Sequence, residues 1–112
     1  HNIWIVADHG RVINPRSFKR QIHSSIIFAL SMMRSDEITI KDGQVEQSNF
    51  DDYPVSFIGE GAENVSITLL DNGAHPMGRG EKIQAGIQPA IANAIEKLTG
   101  ENVTGIPVRD LA

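Results

Sequence analysis

A glycine-flanked acid is the first group in this chain whose type and spacing suit chemistry. Glu81 follows Gly78-Arg79-Gly80 and precedes the apolar periodicity of a helix. Glycines let a backbone approach a bulky ligand closely, and the start of a helix supplies free N–H groups. A carboxylate here suits a general base, whereas the simpler interpretation is a solvated acid favoured by the helix dipole. Spacing alone leaves both interpretations open.

The second candidate is an amide early in the first predicted helix. Gln21 stands near Ser24 and Ser25, and its side chain offers donors and an acceptor that suit the edge of a heterocycle. An exposed helical glutamine is the simpler interpretation. The chain holds four histidines: His1, His9, His23 and His75. None has a partner at metal-ligand spacing, and there is no cysteine, nucleophile elbow or P-loop, so we expect no metal ligand from this chain.

Two helices must position these groups. Asn14-Pro15 is a helix start signal, and an apolar stripe at spacings of three and four predicts a helix over about 15–34. A second stripe, followed by a glycine, predicts a helix over about 83–98. Pro89 lies about one turn into it, which predicts that the regular helix begins only near Gln88.

Three segments have strand patterns. Residues 2–8 are β-branched and aromatic and apolar on both faces, which predicts a central strand. Asp42-Gly43 is the dipeptide that a type I′ turn prefers, so 37–47 predicts a β-hairpin, and 65–70 predicts another strand. The expected fold class is therefore α+β, with two amphipathic helices packed on a small mixed or antiparallel sheet that includes the hairpin.

Length and charge limit the function classes. A chain of 112 residues is expected to form a single domain. Its 10 basic and 14 acidic residues give a net charge of −4, which disfavours a nucleic-acid partner because polyanion binders carry a basic face. No apolar run approaches the ~20 residues of a membrane helix, so we expect no membrane span.

Four runs of sequence, in this order, carry a resemblance to one family. They are Asp8–Pro15, Glu37–Tyr53, Gly78–Glu81 and Pro89–Ile95. They resemble the xanthine dehydrogenase and aldehyde oxidase family of molybdenum hydroxylases, and especially the large subunit of isoquinoline 1-oxidoreductase-type enzymes. The resemblance covers nearly the whole chain. It implies that residues 1–112 are the C-terminal lobe of a molybdopterin-binding domain, a fragment of a longer chain.

The resemblance also implies roles for particular residues. Glu81 matches the active-site general base of the family, and Gln21 matches a glutamine that hydrogen-bonds the pterin. Gly78 and Gly80 match loop glycines that let the backbone run near the metal. The implied cofactor of the intact enzyme is molybdopterin with molybdenum, in the cytosine dinucleotide form. The implied reaction is hydroxylation of N-heteroaromatics or oxidation of aldehydes.

The implied partners are the remainder of the molybdenum large subunit and a small subunit with [2Fe–2S] clusters. Alone, the chain is expected to hold no cofactor tightly, to be inactive and to self-associate; the cytoplasm and the periplasm both stay open. Five positions depart from the family's pattern: His23, Ser24, Met77, Arg79 and Lys82. They motivate an alternative hypothesis, a non-catalytic stand-alone or diverged module used for subunit association.

Overall fold

The computed structural model describes residues 2–57, 59–78 and 80–109. Its elements in chain order are β1 (Asn2–Asp8), α1 (Pro15–Arg34), β2 (Ile40–Lys41), β3 (Gln44–Val45), β4 (Asn64–Leu70), a 3₁₀ turn (Glu81–Ile83) and α2 (Gln84–Thr99). One two-stranded sheet is parallel and the other is antiparallel. The predicted α+β class, with two helices and a small mixed set of strands, is confirmed.

Helix α1 is the centre of the core and has the predicted bounds. The Asn14 side chain accepts a hydrogen bond from the Ser17 N–H at 3.0 Å, and Pro15 occupies the first turn, as the start signal predicted. The apolar stripe faces inward, with Ile22 at 0% and Ile26 at 1% exposure. The core cluster consists of Ala7, Ile22, Ile26, Ala29 and Ile87.

Strands β1 and β4 run parallel, in a register that pairs Asn2 with Asn64 and Asp8 with Leu70. Burial alternates along both strands, so one face of this sheet packs towards the helices and the other does not. On the open face, Trp4 is 73% exposed. The prediction of a central strand is wrong for the described residues, because β1 has β4 on one edge and no strand on the other.

Helix α2 begins earlier than the proline suggested. The prediction of a regular helix only from Gln88 is wrong, since α2 starts at Gln84 and contains Pro89. Proline lacks the N–H that would bond the Ala85 carbonyl, and Ala85 is exposed, so water can satisfy that oxygen. The predicted C-terminal glycine is confirmed: Gly100 adopts φ 79° and caps the helix.

The predicted hairpin is confirmed, although its strands are short. Its predicted place in the sheet beneath the helices is wrong, because β2 and β3 form a separate two-stranded sheet. Ile40 pairs with Val45, and the turn residues Asp42 and Gly43 have φ values of 51° and 80°. Positive φ at both central residues is what a type I′ turn requires. Ile40 is 72% exposed, so the hairpin adds little to the core. Among the described residues, neither helix combines the length and apolarity that a membrane span requires.

Candidate functional site

The loop that carries Gly78 is fixed at the carboxyl end of the parallel sheet. Because β1 and β4 are parallel, the segments that follow them leave the sheet at the same end, where the carboxyl ends of both strands lie. There the Arg11 N–H donates to the Ala74 carbonyl at 2.9 Å, and the Met77 N–H donates to the His9 carbonyl at 3.1 Å. The two segments lie so close at Gly10 that a Cβ there would be 2.4 Å from a backbone oxygen. Only glycine fits this approach.

The carboxylate of Asp8, at the end of β1, stabilises the same pair of loops. The Asn72 amide donates to both carboxylate oxygens of Asp8, at 2.9 and 3.0 Å, and the Gly10 N–H donates to one of them at 3.2 Å. Next along the chain, His9 is buried and its ring meets the edge of Phe18, with 4.5 Å between ring centroids. Asp8 thus orders the loops, and His9 joins them to α1.

One hydroxyl brings the two predicted parts of the site together. Ser25 Oγ lies 3.0 Å from the carbonyl oxygen of Gln21 and also hydrogen-bonds the carbonyl oxygen of Gly80. A serine hydroxyl has one proton, so it donates to one of these carbonyls at a time. Ser25 is 4% exposed. The peptide that leads into Glu81 therefore lies against the turn of α1 that carries Gln21.

The side chains of the two candidate residues, Gln21 and Glu81, are exposed. Within the part of the chain that the structure describes, neither the Gln21 amide nor the Glu81 carboxylate hydrogen-bonds another side chain or the backbone, and Glu81 pairs with no cation. A Cβ added at Gly78 or Gly80 would meet no atom within 4 Å. An amide, a carboxylate and open space beside two glycines fit one edge of a flat heterocycle such as a pterin.

The carboxylates with lowered pKa values lie in loops outside this arrangement. Backbone N–H groups of Ser48 and Asn49 donate to Asp52 and hold the pKa of that carboxyl below its usual range. The Phe57 N–H, and then the Arg34 guanidinium, lower the pKa of Glu60 in the same way. Both carboxylates accept hydrogen bonds from nearby backbone N–H groups and so stabilise turns. No group of three or more potential metal-ligating side chains occurs among the described residues.

Sequence reasoning noted Ser25 but did not assign its contact with Gly80. A signal was present: Ser25 falls within the inward stripe of α1, one residue before Ile26. A buried hydroxyl almost always has a hydrogen-bond partner. The pattern therefore required a partner for Ser25, but that partner lies 55 residues away and periodicity cannot name it.

Comparison with known proteins assigns the class. Residues 1–60, more than half of the chain, match the family model described as a molybdopterin cofactor-binding domain. The chain belongs to this family, and the resemblance to molybdenum hydroxylases is confirmed. It is thus a molybdopterin cofactor-binding domain of the kind found in molybdenum oxidoreductases.

Individual relatives refine this picture. The chain is 29% identical over 107 residues to isoquinoline 1-oxidoreductase subunit beta of Brevundimonas diminuta. It is 31% identical over 107 residues to the membrane-bound aldehyde dehydrogenase [pyrroloquinoline-quinone] of Gluconacetobacter polyoxogenes, whose name carries a different cofactor. Each match covers 96% of this chain and 14% of the relative, so the chain spans about a seventh of their length.

The fold has a solved counterpart. The crystal structure of quinoline 2-oxidoreductase from Pseudomonas putida 86 matches with a TM-score of 0.80 and 21% sequence identity. The match covers 93% of this chain and 14% of that chain. At this identity the likeness establishes the fold, and the roles of individual residues have to be argued from their own geometry.

Proposed function

We propose that the chain is the C-terminal lobe of the molybdopterin-binding large subunit of a molybdenum hydroxylase, with Glu81 as its general base. The observation that carries the proposal is the Ser25 contact, which places the Gly80 peptide against the turn of α1 that bears Gln21. The two motifs come from distant parts of the sequence. A site assembled from both is more specific than a short motif on its own.

The proposed role of Gln21 is to bind the pterin. Its amide is exposed and makes no hydrogen bond with another described residue. It therefore has two donors and an acceptor available for the edge of a heterocycle. Gly78 and Gly80 leave open space where any other residue would place a side chain, so a bound ring can approach the backbone.

The proposed role of Glu81 is to accept a proton from the reacting group. The carboxylate is exposed, begins the 3₁₀ turn, and is not engaged by any described side chain. When bound, the molybdenum cofactor supplies the oxygen-transfer and two-electron chemistry. A positioned general base that holds the proton at a carboxylate oxygen contributes about 10²- to 10⁴-fold in rate.

The finer assignments follow from the same proposal. The substrate is an N-heteroaromatic compound or an aldehyde, which is supported by relatives named for isoquinoline and aldehyde oxidation. The cofactor is the cytosine dinucleotide form of molybdopterin. The rest of the large subunit and a small subunit with [2Fe–2S] clusters complete the enzyme. A relative named as a beta subunit, about seven times this length, supports the longer chain and the presence of a further subunit.

The test is a Glu81→Gln variant of the intact parent enzyme, compared with Glu96→Gln on the exposed surface of α2. An amide keeps the size of the side chain but cannot take the proton. We expect unchanged molybdenum content and a kcat about 10²- to 10⁴-fold lower for Glu81→Gln, and normal turnover for Glu96→Gln. Normal kcat with normal metal content in Glu81→Gln would refute the role of Glu81 and favour the association module.

A further inference from the structure

The helix layer of this fold is wider than the sheet below it. Strands in a sheet lie about 4.8 Å apart, whereas packed helices lie about 8–10 Å apart, so two helices cover roughly four strands. Here two helices accompany only β1 and β4. Helix α1 packs on α2 and on β4, and the buried cluster joins Ile22 and Ile26 to Ala7 of β1. Beyond β1, no strand formed by the described residues therefore lies beneath helix α2.

An apolar groove occupies that position. It has a volume of about 1,020 Å³ and runs along the whole of β1 on one side and along α2 on the other. The α2 wall includes three small, exposed residues one turn apart, Gly86, Ala90 and Ala94, which lie beside larger isoleucine side chains of the same helix. Leu98 continues this face and is 85% exposed. The only buried residue of α2 is Ile87, so most of its apolar face is uncovered.

The strand wall of the groove is equally incomplete. One edge of β1 has no partner strand among the described residues, and a free edge presents N–H and C=O groups ready to pair. Parallel sheets are normally covered on both faces, and a two-stranded sheet is marginally stable on its own. Trp4 and Val6, 73% and 68% exposed, add apolar surface on the face of β1 that points away from the helices.

We propose that one or two β-strands from the remainder of the large-subunit polypeptide pair with the free edge of β1 and fill this groove. The inference rests on the proposed function only in taking the chain as part of a longer polypeptide. Small residues at 86, 90 and 94 let a strand approach α2 closely. The added strands restore the ratio of about two strands for each helix. Relatives about seven times longer contain ample chain to supply them.

A second copy of the chain fits the same groove poorly. Pairing of two β1 edges about a two-fold axis would produce a four-stranded sheet under four helices. Four packed helices need about twice that width of sheet, so the mismatch between layers would persist. Each α2 would also compete with its symmetry mate for the space above the two β1 strands. The groove is therefore suited to strands that arrive without a helix of their own on this face.

Cysteine labelling tests the proposal directly because these 112 residues contain no cysteine. Ala90→Cys places a thiol in the groove, and Glu96→Cys places one on α2 outside it. Both are made in the full-length polypeptide without molybdenum, labelled with N-ethylmaleimide and followed by peptide mass spectrometry. Each labelling rate is divided by the rate of the same thiol in the urea-unfolded protein, which corrects for intrinsic reactivity. We expect labelling at position 90 to be about tenfold slower or more than at position 96, since it requires local opening.

Hydrogen exchange then identifies the cover as a strand. In the full-length polypeptide we expect slow exchange at all interior β1 amides, including the alternate ones that face away from β4. Equal labelling at positions 90 and 96 overturns the proposal, and so does slow labelling with fast exchange at those alternate amides. Protection that depends on protein concentration and accompanies a dimer mass assigns the groove to a second copy and also overturns it. None of these readouts involves Glu81 or turnover, so they stand or fall separately from the proposed activity.

Discussion

The contact that assembles the candidate site is a single hydroxyl, and removing it has a calculable effect. Ser25→Ala deletes the donor to the Gly80 carbonyl but leaves the Gln21 carbonyl within the helix, where the backbone N–H four residues on can bond it. Ser24→Ala is the matched control, because Ser24 is the adjacent helical residue and is exposed.

The magnitude follows from burial. A lost hydrogen bond costs about 0.5–1.5 kcal/mol net, and up to about 3 kcal/mol where the acceptor stays dry. Gly80 is half-buried, so water reaches its carbonyl in part, and about 1 kcal/mol is the expected loss. Both substitutions gain about 0.5 kcal/mol of helix propensity. The unfolding free energies of Ser25→Ala and Ser24→Ala should therefore differ by about 1 kcal/mol, with Ser25→Ala the less stable.

Urea unfolding measures this difference. With an m-value of about 1–3 kcal/mol/M, the two midpoints should lie about 0.3–1 M apart. Hydrogen exchange adds the functional readout: the amides of the 3₁₀ turn should exchange faster in Ser25→Ala and unchanged in Ser24→Ala, because only the first variant releases the Gly80 peptide. Equal midpoints together with equal exchange would refute the argument that Ser25 holds the turn beside α1.

Two further predictions concern the framework. Ile26→Ala should lower the unfolding free energy by about 2–5 kcal/mol, because Ile26 is 1% exposed, whereas Ile40→Ala in the exposed hairpin should change it by less than about 0.5 kcal/mol; urea unfolding checks both. Hydrogen bonds hold the pKa of Asp52 below its unfolded value, so the unfolded state binds the proton first as pH falls. Their contribution is present above about pH 4 and is lost as pH falls through the folded pKa. The free energy of unfolding of the wild-type protein should exceed that of Asp52→Asn above this pH window, and the difference should shrink as pH falls through it. A difference that stays constant from about pH 5 to about pH 2 would contradict the argument.

Local signals predicted the helices well because the forces that set their ends are local. The Asn14 cap, the proline after it and the inward stripe of α1 all act within a few residues. The same holds for the hairpin, whose turn is fixed by Asp42 and Gly43. The start of α2 at Gln84 was not predicted because Pro89 alone does not decide whether the helix continues. The Ala85 carbonyl, which loses its helical hydrogen bond to Pro89, is exposed and can bond water instead.

The strand prediction failed for a reason that concerns the whole polypeptide. An apolar run such as 2–8 is typical of a strand that is covered on both faces and paired on both edges. In the structure, β1 has one partner strand and exposes Trp4 and Val6. The sequence of β1 is thus that of a central strand, and its surroundings within these residues are those of an edge strand. Such a disagreement is what a segment adapted to a larger sheet would show.

The candidate site lies at the carboxyl end of the small sheet, whereas the groove follows the lateral edge of β1 and reaches that end at Asp8 and Lys82. The two can be tested apart because thiol labelling and hydrogen exchange along the groove do not involve Glu81 or turnover. Glu81, Gln21 and the loop glycines gather where the carboxyl ends of β1 and β4 emerge, held by the Ser25 contact and by the pairing of residues 9–11 with 74–77. The groove runs along the lateral edge of β1. Strands added there would extend the sheet sideways without crossing the open space beside Gly78 and Gly80. Assembly with the rest of the polypeptide and access to the site are therefore compatible in this fold.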